Sequence, residues 1–147
     1  MHLPKRHACA LAAFGAALLC SFGPASAQDA GAASRQLLMQ GRFATVAEQR
    51  GVPNGNAAPA GVFDQGLAAY ALSNYEDAAS LFAQAAQSDG DPELLIRAAV
   101  AATLSLSRAG NNAAACEYAR VVQPLVVNMP LLWRGWLEES RRASNCG

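Results

Sequence analysis

The residue types that most often carry out catalysis are nearly missing from this chain once its first residues are set aside. Both histidines, His2 and His7, and the only lysine, Lys5, lie close to the N-terminus. Residues 28–147 therefore cannot form a Ser-His-Asp triad, a Cys-His pair, a Schiff-base lysine or a histidine metal site. The sequence also has no G-x-x-x-x-G-K-[ST] loop and no G-x-G-x-x-G loop that would hold phosphates.

Carboxylates are the catalytic groups that remain. Asp89, Asp91 and Glu93 form one cluster, but a helix is expected to begin there, and helix capping explains carboxylates at such a position. Glu138 and Glu139 are adjacent on a face that should be solvated. We therefore predict that the chain is not an enzyme and holds no cofactor or metal; a small carboxylate-based cell-wall enzyme is the weakest alternative.

The four cysteines fall into two groups. Cys9 and Cys20 belong to the N-terminal segment, whereas Cys116 and Cys146 lie in the body of the chain. An even pair in an oxidising compartment favours a disulfide. Two sulfurs without a histidine are too few ligands for zinc. We predict a disulfide between Cys116 and Cys146, and the alternative is two unpaired thiols.

The first 27 residues have the features of a secretory signal peptide. Lys5 and Arg6 precede an apolar run at residues 8–22, and small residues stand at positions 25–27, where signal peptidase requires them. A membrane anchor is the alternative, but the run is shorter than the roughly 20 apolar residues of a spanning helix. We predict cleavage before Gln28, a periplasmic or secreted mature chain, and no membrane span after cleavage.

The mature chain is of the right size for a single domain and has a balanced charge. Of the 11 basic side chains, Lys5 and Arg6 leave with the signal, so nine arginines face 11 carboxylates and the net charge is −2. The sequence shows no basic patch, and we predict that the chain does not bind nucleic acid.

Helical spacing of alanine and leucine dominates residues 28–147, and β-branched residues are few and scattered. We therefore predict an all-α fold without strands. Residues 28–31 are expected to be disordered. Residues 50–61, which include two prolines and three glycines, are expected to form a loop. Helices are predicted at residues 32–40, 43–49, 62–72, from 75 onward, 92–109, 113–122 and 130–142.

Two helix starts carry specific signals. Ser73 and Glu76 have the spacing of a capping box at the helix that opens with Tyr75. Asp91 followed by Pro92 predicts a capped start for the next helix. That helix is apolar most of the way round and should therefore be buried on more than one side, in the middle of the fold.

Residues 61–92 form a predicted helical hairpin that resembles a tetratricopeptide repeat (TPR). The family pattern has a glycine in the first helix, a small residue in the second, an aromatic residue four positions later and a terminal proline. Gly66, Ala78, Phe82 and, two positions late, Pro92 match it. A generic amphipathic hairpin is the alternative. The departures from the family's tryptophan, leucine and tyrosine are Val62, Gln65 and Ala69.

The resemblance implies a fold of stacked antiparallel helical hairpins, a TPR-like α-solenoid fragment that ends in a capping helix. The turn at residues 110–112 follows the turn at 73–75 by 37 positions, near the family period of 34. The turn at 41–43 is similar, so a truncated first repeat is one interpretation of that region. The domains are then the signal peptide at 1–27, N-terminal helices and a Pro/Gly linker at 28–60, and the repeat domain at 61–147.

The resemblance also implies a binding site, because TPR domains bind extended peptides on the concave face of their first helices. Two arginines flank an apolar strip there and would suit an acidic or C-terminal peptide. The alternative is that both arginines merely border a buried stripe. The predicted site comprises Phe63, Leu67, Tyr70, Arg97, Val100, Leu104 and Arg108.

The sequence thus predicts an exported, TPR-like adaptor that binds a protein or peptide and serves an envelope or secretion system. A structural subunit of a larger envelope assembly is the main alternative, because arrays of fewer than three repeats often need a partner for stability.

Overall fold

The computed structural model describes residues 27–49 and 58–147. Most of the predicted signal peptide and most of the predicted linker therefore lie outside the described residues. Within the described ranges the chain is all-α and contains no strand, as predicted. Seven helices follow one another there: α1 Ala27–Met39, α2 Phe43–Glu48, α3 Pro59–Ala71, α4 Tyr75–Ala86, α5 Pro92–Arg108, α6 Asn112–Val122 and α7 Leu131–Ala143, with a 3₁₀ turn Gln123–Val126 before α7.

The helices pack mostly against their neighbours in the sequence. Contacts also join successive odd-numbered helices, α1 with α3, α3 with α5, and α5 with α7. Helix α5 contacts α3, α4, α6 and α7, which confirms its predicted place in the middle of the fold. None of the helices in the described ranges is both long enough and apolar enough to cross a membrane.

Three of the turns between helices share one geometry. Gly41, Ser73 and Gly110 each adopt a positive φ, of 70°, 62° and 79°. In each turn the next amide bonds back over five residues, as Asn74 N–H does to Ala69 O at 2.9 Å, and this is the hydrogen bond of a Schellman motif. The predicted capping box at Ser73 is wrong, because Ser73 ends α3 in this motif. Asn74 is the residue that precedes α4, and its side chain makes no capping hydrogen bond.

Two predicted boundaries are also corrected. Residues 28–31 are part of helix α1 and not disordered. Helix α3 begins at Pro59, three residues before Val62, because proline is well suited to the first helical position, where its missing N–H is not needed. The predicted cap at Asp91 is confirmed, since its carboxylate accepts a hydrogen bond from Glu93 N–H at 3.3 Å.

The core consists of two hydrophobic clusters that meet at α5. The first joins α3, α4 and α5 around Phe82, whose ring packs on Phe63 with 5.2 Å between centroids. The second joins α5, α6 and α7 and includes Val100 and Leu137. Trp133 of α7 packs against both clusters. The predicted disulfide is confirmed: Cys116 of α6 is bonded to Cys146, beyond the end of α7.

Candidate functional site

Four residues of the predicted peptide site come together. Leu67 and Tyr70 from α3 and Leu104 and Arg108 from α5 line a cavity of about 190 Å³. Helix α7 closes this cavity with Trp136 and Glu139. We call it the α3–α5–α7 cavity.

The other three predicted residues lie elsewhere. Phe63 is buried in the first core cluster. Val100 is fully buried in the second cluster and does not line the cavity, because it faces α6 and α7. Arg97 forms an ion pair with Glu93 and lies over the ring of Trp133, 5.7 Å from its centroid.

Both arginines of the predicted site already have a carboxylate partner within the chain. Arg108 Nη2 lies 2.5 Å from Glu139 Oε1, and Arg97 is paired with Glu93 one helical turn away. An acidic peptide would therefore have to displace a side chain that is already in place. Peptide binding at this face stays a prediction.

The carboxylates of the helix ends serve structural contacts. Asp91 caps α5, and Glu138 pairs with Arg141 at 3.4 Å and with Arg142 at 3.7 Å. In residues 27–49 and 58–147 no group of three or more histidine, cysteine or acidic side chains could hold a metal ion.

Asp64 is a buried carboxylate that the sequence did not single out. It lies on the face of α3 that receives α1 and α2, with its side chain 3% exposed, and Arg35 Nε is 3.8 Å from Oδ2. Oδ2 accepts no hydrogen bond. Burial raises the pKa of Asp64, and the charge of Arg35 opposes that shift. Ser34, which donates to Gln49 Oε1 at 3.0 Å, makes this junction polar.

The even-numbered side of the fold carries a groove that we call the α4–α6 groove. Helices α4 and α6 form its walls, and α5, which packs on both, forms its floor. Its wider part has a volume of about 600 Å³. The residues that line this part are mainly apolar and include Ala86, Leu95, Ile96, Ala99, Val121 and Leu125.

The groove continues toward the first turns of α4 and α6. A second depression, of about 360 Å³, shares Tyr118 with the wider part and ends near Glu76. Its remaining lining is dominated by alanines of the three helices, among them Ala79, Ala83, Ala109 and Ala114. A polar depression of about 480 Å³ adjoins it at Glu76 and Ala109. The first two depressions thus meet at Tyr118 between α4 and α6, and the third lies beyond them at the start of α4.

Large apolar side chains remain exposed at the wider end of this groove. Val121 is 61% exposed and Leu125 is 51% exposed. This site was not predicted, although the sequence contains one indication of it. Val121 and Val122 are adjacent, so the apolar face of α6 is wider than one buried stripe requires. Only Val122 of the two is buried.

Comparisons with known proteins identify no family for this chain. No protein-family model matches the sequence, and neither a curated protein nor a solved structure matches it at a significant level. The structure shows an all-helical domain of stacked helices, and membership of the TPR family stays a prediction.

Proposed function

We propose that this chain is a non-catalytic module that binds a segment of another protein in the α4–α6 groove. The observation that carries the proposal is the groove itself: an apolar path between two helices, with Val121 and Leu125 exposed at its wider end. Exposed apolar side chains grouped along a concave surface are typical of a protein-binding site.

The arrangement of the helices supports the adaptor interpretation. Pairs α1–α2, α3–α4 and α5–α6 each close through a turn that has a residue of positive φ at the same position and the same hydrogen bond. We propose that these pairs are degenerate repeats of one hairpin, stacked as a short solenoid with α7 as its cap. The disulfide fits an exported protein in an oxidising compartment, and we propose a periplasmic location.

A pair of exposed valines gives a matched test. Val121 lines the groove, whereas Val127 lies outside its lining and is similarly exposed, at 61% and 65%. A partner captured from the source cell's envelope and identified by mass spectrometry would be purified and titrated against the wild type, Val121→Lys and Val127→Lys. We expect Val121→Lys to weaken binding at least tenfold and Val127→Lys to leave it unchanged. Equal effects of the two substitutions would contradict the groove as the site.

The α3–α5–α7 cavity is the competing site, because it gathers four residues of the sequence-based prediction. The variant Arg108→Glu tests it with the same purified partner, because Arg108 lines the cavity and Arg97 does not. Arg108 and Glu139 are about half exposed, so their ion pair adds little stability and the variant should keep its helix content. If this variant loses the partner and Val121→Lys does not, the binding site is the cavity.

A structural subunit is the second candidate function. Leu131 and Leu132 at the start of α7 are 76% and 56% exposed and line neither the α4–α6 groove nor the α3–α5–α7 cavity. Such residues become buried when copies pack side by side. Sedimentation velocity distinguishes the two functions: an adaptor sediments as a monomer, whereas a subunit associates and is returned to a monomer by Leu131→Glu/Leu132→Glu.

A further inference from the structure

The charges around the α4–α6 groove point to the chemistry of its occupant, given that the groove is the binding site proposed above. Residues 51–96 include six carboxylates and no arginine or lysine. This stretch supplies all of α4 and the first turns of α5. Asp64 is buried in α3, but Glu76 and Asp77 lie in the first turn of α4, and Asp91 and Glu93 lie at the start of α5. One end of the α4 wall and one end of the floor are therefore acidic.

The lining of the groove has the same sign. Glu117 on α6 lines the wider part and Glu76 on α4 lines the narrower part, and both are exposed. Among the described residues, no arginine or lysine lines either depression. Arg97, the arginine that follows the acidic stretch, points to Glu93 and Trp133 instead. The charged side chains that line the two depressions are therefore carboxylates, and a basic occupant would find one in each depression.

The helix termini at the wider end reinforce this preference. Helices α4 and α6 run in the same direction, and their C-terminal ends, at Ala86 and Val122, both line the wider part. The C-terminal end of a helix carries partial negative charge and favours a cation. The N-terminal end of α5 also lies there, at Pro92, but the carboxylate of Asp91 caps it. Helix α6 already carries Arg120 in its last turn, whereas the last turn of α4 has no basic residue, so the C-terminal end of α4 is the one that favours positive charge here.

The apolar lining and the paired backbone of the groove together favour a helix over an extended peptide. The flanking elements are helices whose internal amides are paired within each helix, so the groove offers no row of free backbone groups. An extended peptide would bury unpaired N–H and C=O groups against apolar side chains, whereas a helix satisfies its own. At 1.5 Å per residue, walls of 12 and 11 residues extend for about 16 to 18 Å, which is the length of a three-turn helix.

We propose that the α4–α6 groove binds an amphipathic helix of a partner protein whose apolar face lies on Leu95, Ile96 and Ala99 and whose flanking basic residues pair with Glu76 and Glu117.

Two synthetic peptides test the proposal against the full chain. Both are 14-residue helices with the same leucine and alanine face; one has lysine and the other glutamate at the flanking positions. Anisotropy of a labelled peptide gives the affinity at low and raised salt. We expect the lysine peptide to bind at least tenfold more tightly, and the difference to shrink as salt screens the charges.

Matched variants identify the contacts. Glu76→Gln/Glu117→Gln should remove most of the preference for the lysine peptide, whereas Glu48→Gln, on α2 and outside the groove lining, should leave it intact. Val121→Lys should weaken binding and Val127→Lys should not. Circular dichroism confirms that each variant is folded.

The outcomes separate this inference from the proposed function. If both peptides bind equally and Val121→Lys weakens both, the groove binds helices but does not select basic ones, and only the inference fails. If the lysine peptide binds wild type and Val121→Lys equally well, the site is elsewhere. If neither peptide binds, the groove does not receive a helix. Each of these two results overturns the inference and the proposed site together.

Discussion

Gly66 allows α3 and α4 to approach each other closely, because the ring of Phe82 fills the space where a side chain would begin. A Cβ on Gly66 would lie 2.6 Å from Cε1 and 2.7 Å from Cδ1 of Phe82. Phe82 is only 1% exposed and packs on Phe63, so moving its ring aside would disturb the packing of the first core cluster. The two residues were linked in the sequence only by the TPR pattern, and the structure supplies the physical reason for the pairing.

Gly66→Ala should lower the free energy of unfolding by about 1 to 3 kcal/mol, because overpacking outweighs the better helix propensity of alanine. Gly61→Ala in the same helix is the control, since a Cβ at Gly61 has nothing within 4 Å. The control should be neutral or gain up to about 1 kcal/mol. Urea denaturation measures both, and equal changes in the two variants would contradict the steric account.

The buried carboxylate of Asp64 should make stability depend on pH in an uncommon direction. Burial raises its pKa in the folded state above the ordinary 3.8. The folded state therefore holds the proton more tightly than the unfolded chain. The stabilising contribution of this group is complete below pH 3.8 and is lost as the pH rises through the folded-state pKa.

Asp64→Asn removes this titration. Relative to the wild type, the variant should gain stability as the pH rises from the acidic range toward neutrality. Arg35→Gln should have the opposite sign: it removes the cation that favours the charged carboxylate, so it should destabilise the chain at neutral pH and have little effect at acidic pH. Urea denaturation over a pH series measures both differences. Differences that do not vary with pH would rule out Asp64 as their source.

At the scale of the elements, the C-terminal tail that follows α7 is held by a disulfide and by a hydrogen-bonded turn. Asn145 adopts a positive φ of 54°, and Cys146 N–H donates to Arg141 O at 2.9 Å. This turn reverses the chain after α7 and brings Cys146 to Cys116 on α6, with 5.3 Å between their Cα atoms. The disulfide therefore fixes α7 against α6 at the end of the second core cluster.

Cys116→Ser/Cys146→Ser should lower the free energy of unfolding by about 3 to 4 kcal/mol, as expected for opening a loop of some thirty residues on the chain-entropy account. Adding reductant to the wild type should lower the melting temperature in the same direction and leave the variant unchanged. A variant as stable as the oxidised wild type would show that packing of α7 alone holds the tail.

Helical periodicity predicted most of the elements, because each helix from α3 onward buries a repeating apolar stripe. It did not predict the ends that depend on turn chemistry, such as Ser73, whose backbone adopts a conformation that serine rarely takes. Four residues of the predicted site line one cavity and the other three do not, for a related reason. Periodicity places Val100 and Leu104 on one stripe of α5, but α6 and α7 cover Val100 and leave Leu104 at the cavity.

The α4–α6 groove was not predictable from any single helix. Leu95, Ile96 and Val121 read as core residues in the sequence, and nothing in their spacing tells which side a neighbouring helix leaves uncovered. Only the packing of α4 and α6 on α5 shows that these side chains line an open path.

At the scale of the whole molecule, the predicted signal peptide determines where the mature, exported chain begins. Residues 1–26 lie outside the described residues, and helix α1 begins at Ala27, so cleavage before Gln28 would leave α1 almost whole. We expect the intact mass of the exported protein to equal that of residues 28–147. A mass that includes residues 1–27, or one that indicates an acylated Cys20, would contradict the prediction.

The packing also makes stability unequal along the stack. Helices α1 and α2 contact mainly each other and α3, and the buried residues there are the polar Ser34 and Asp64 together with Val46. Helices α6 and α7, in contrast, cover the second hydrophobic cluster, including the fully buried Val100. Loss of the first pair should therefore cost far less than loss of the last.

A chain shortened to residues 58–147 should keep α3 to α7 folded and unfold cooperatively in urea. A chain that ends at residue 111, and so lacks α6 and α7, should show no cooperative transition. The first truncation exposes Asp64 to water, which relieves the desolvation of its carboxylate, while the second uncovers Val100 and its apolar neighbours. Helix content by circular dichroism and the sharpness of the urea transition measure both. In the shortened chain Asp64→Asn should also lose its pH-dependent effect on stability. A persistent effect there, or a 58–147 chain without a cooperative transition, would show that α1 and α2 are integral to the core.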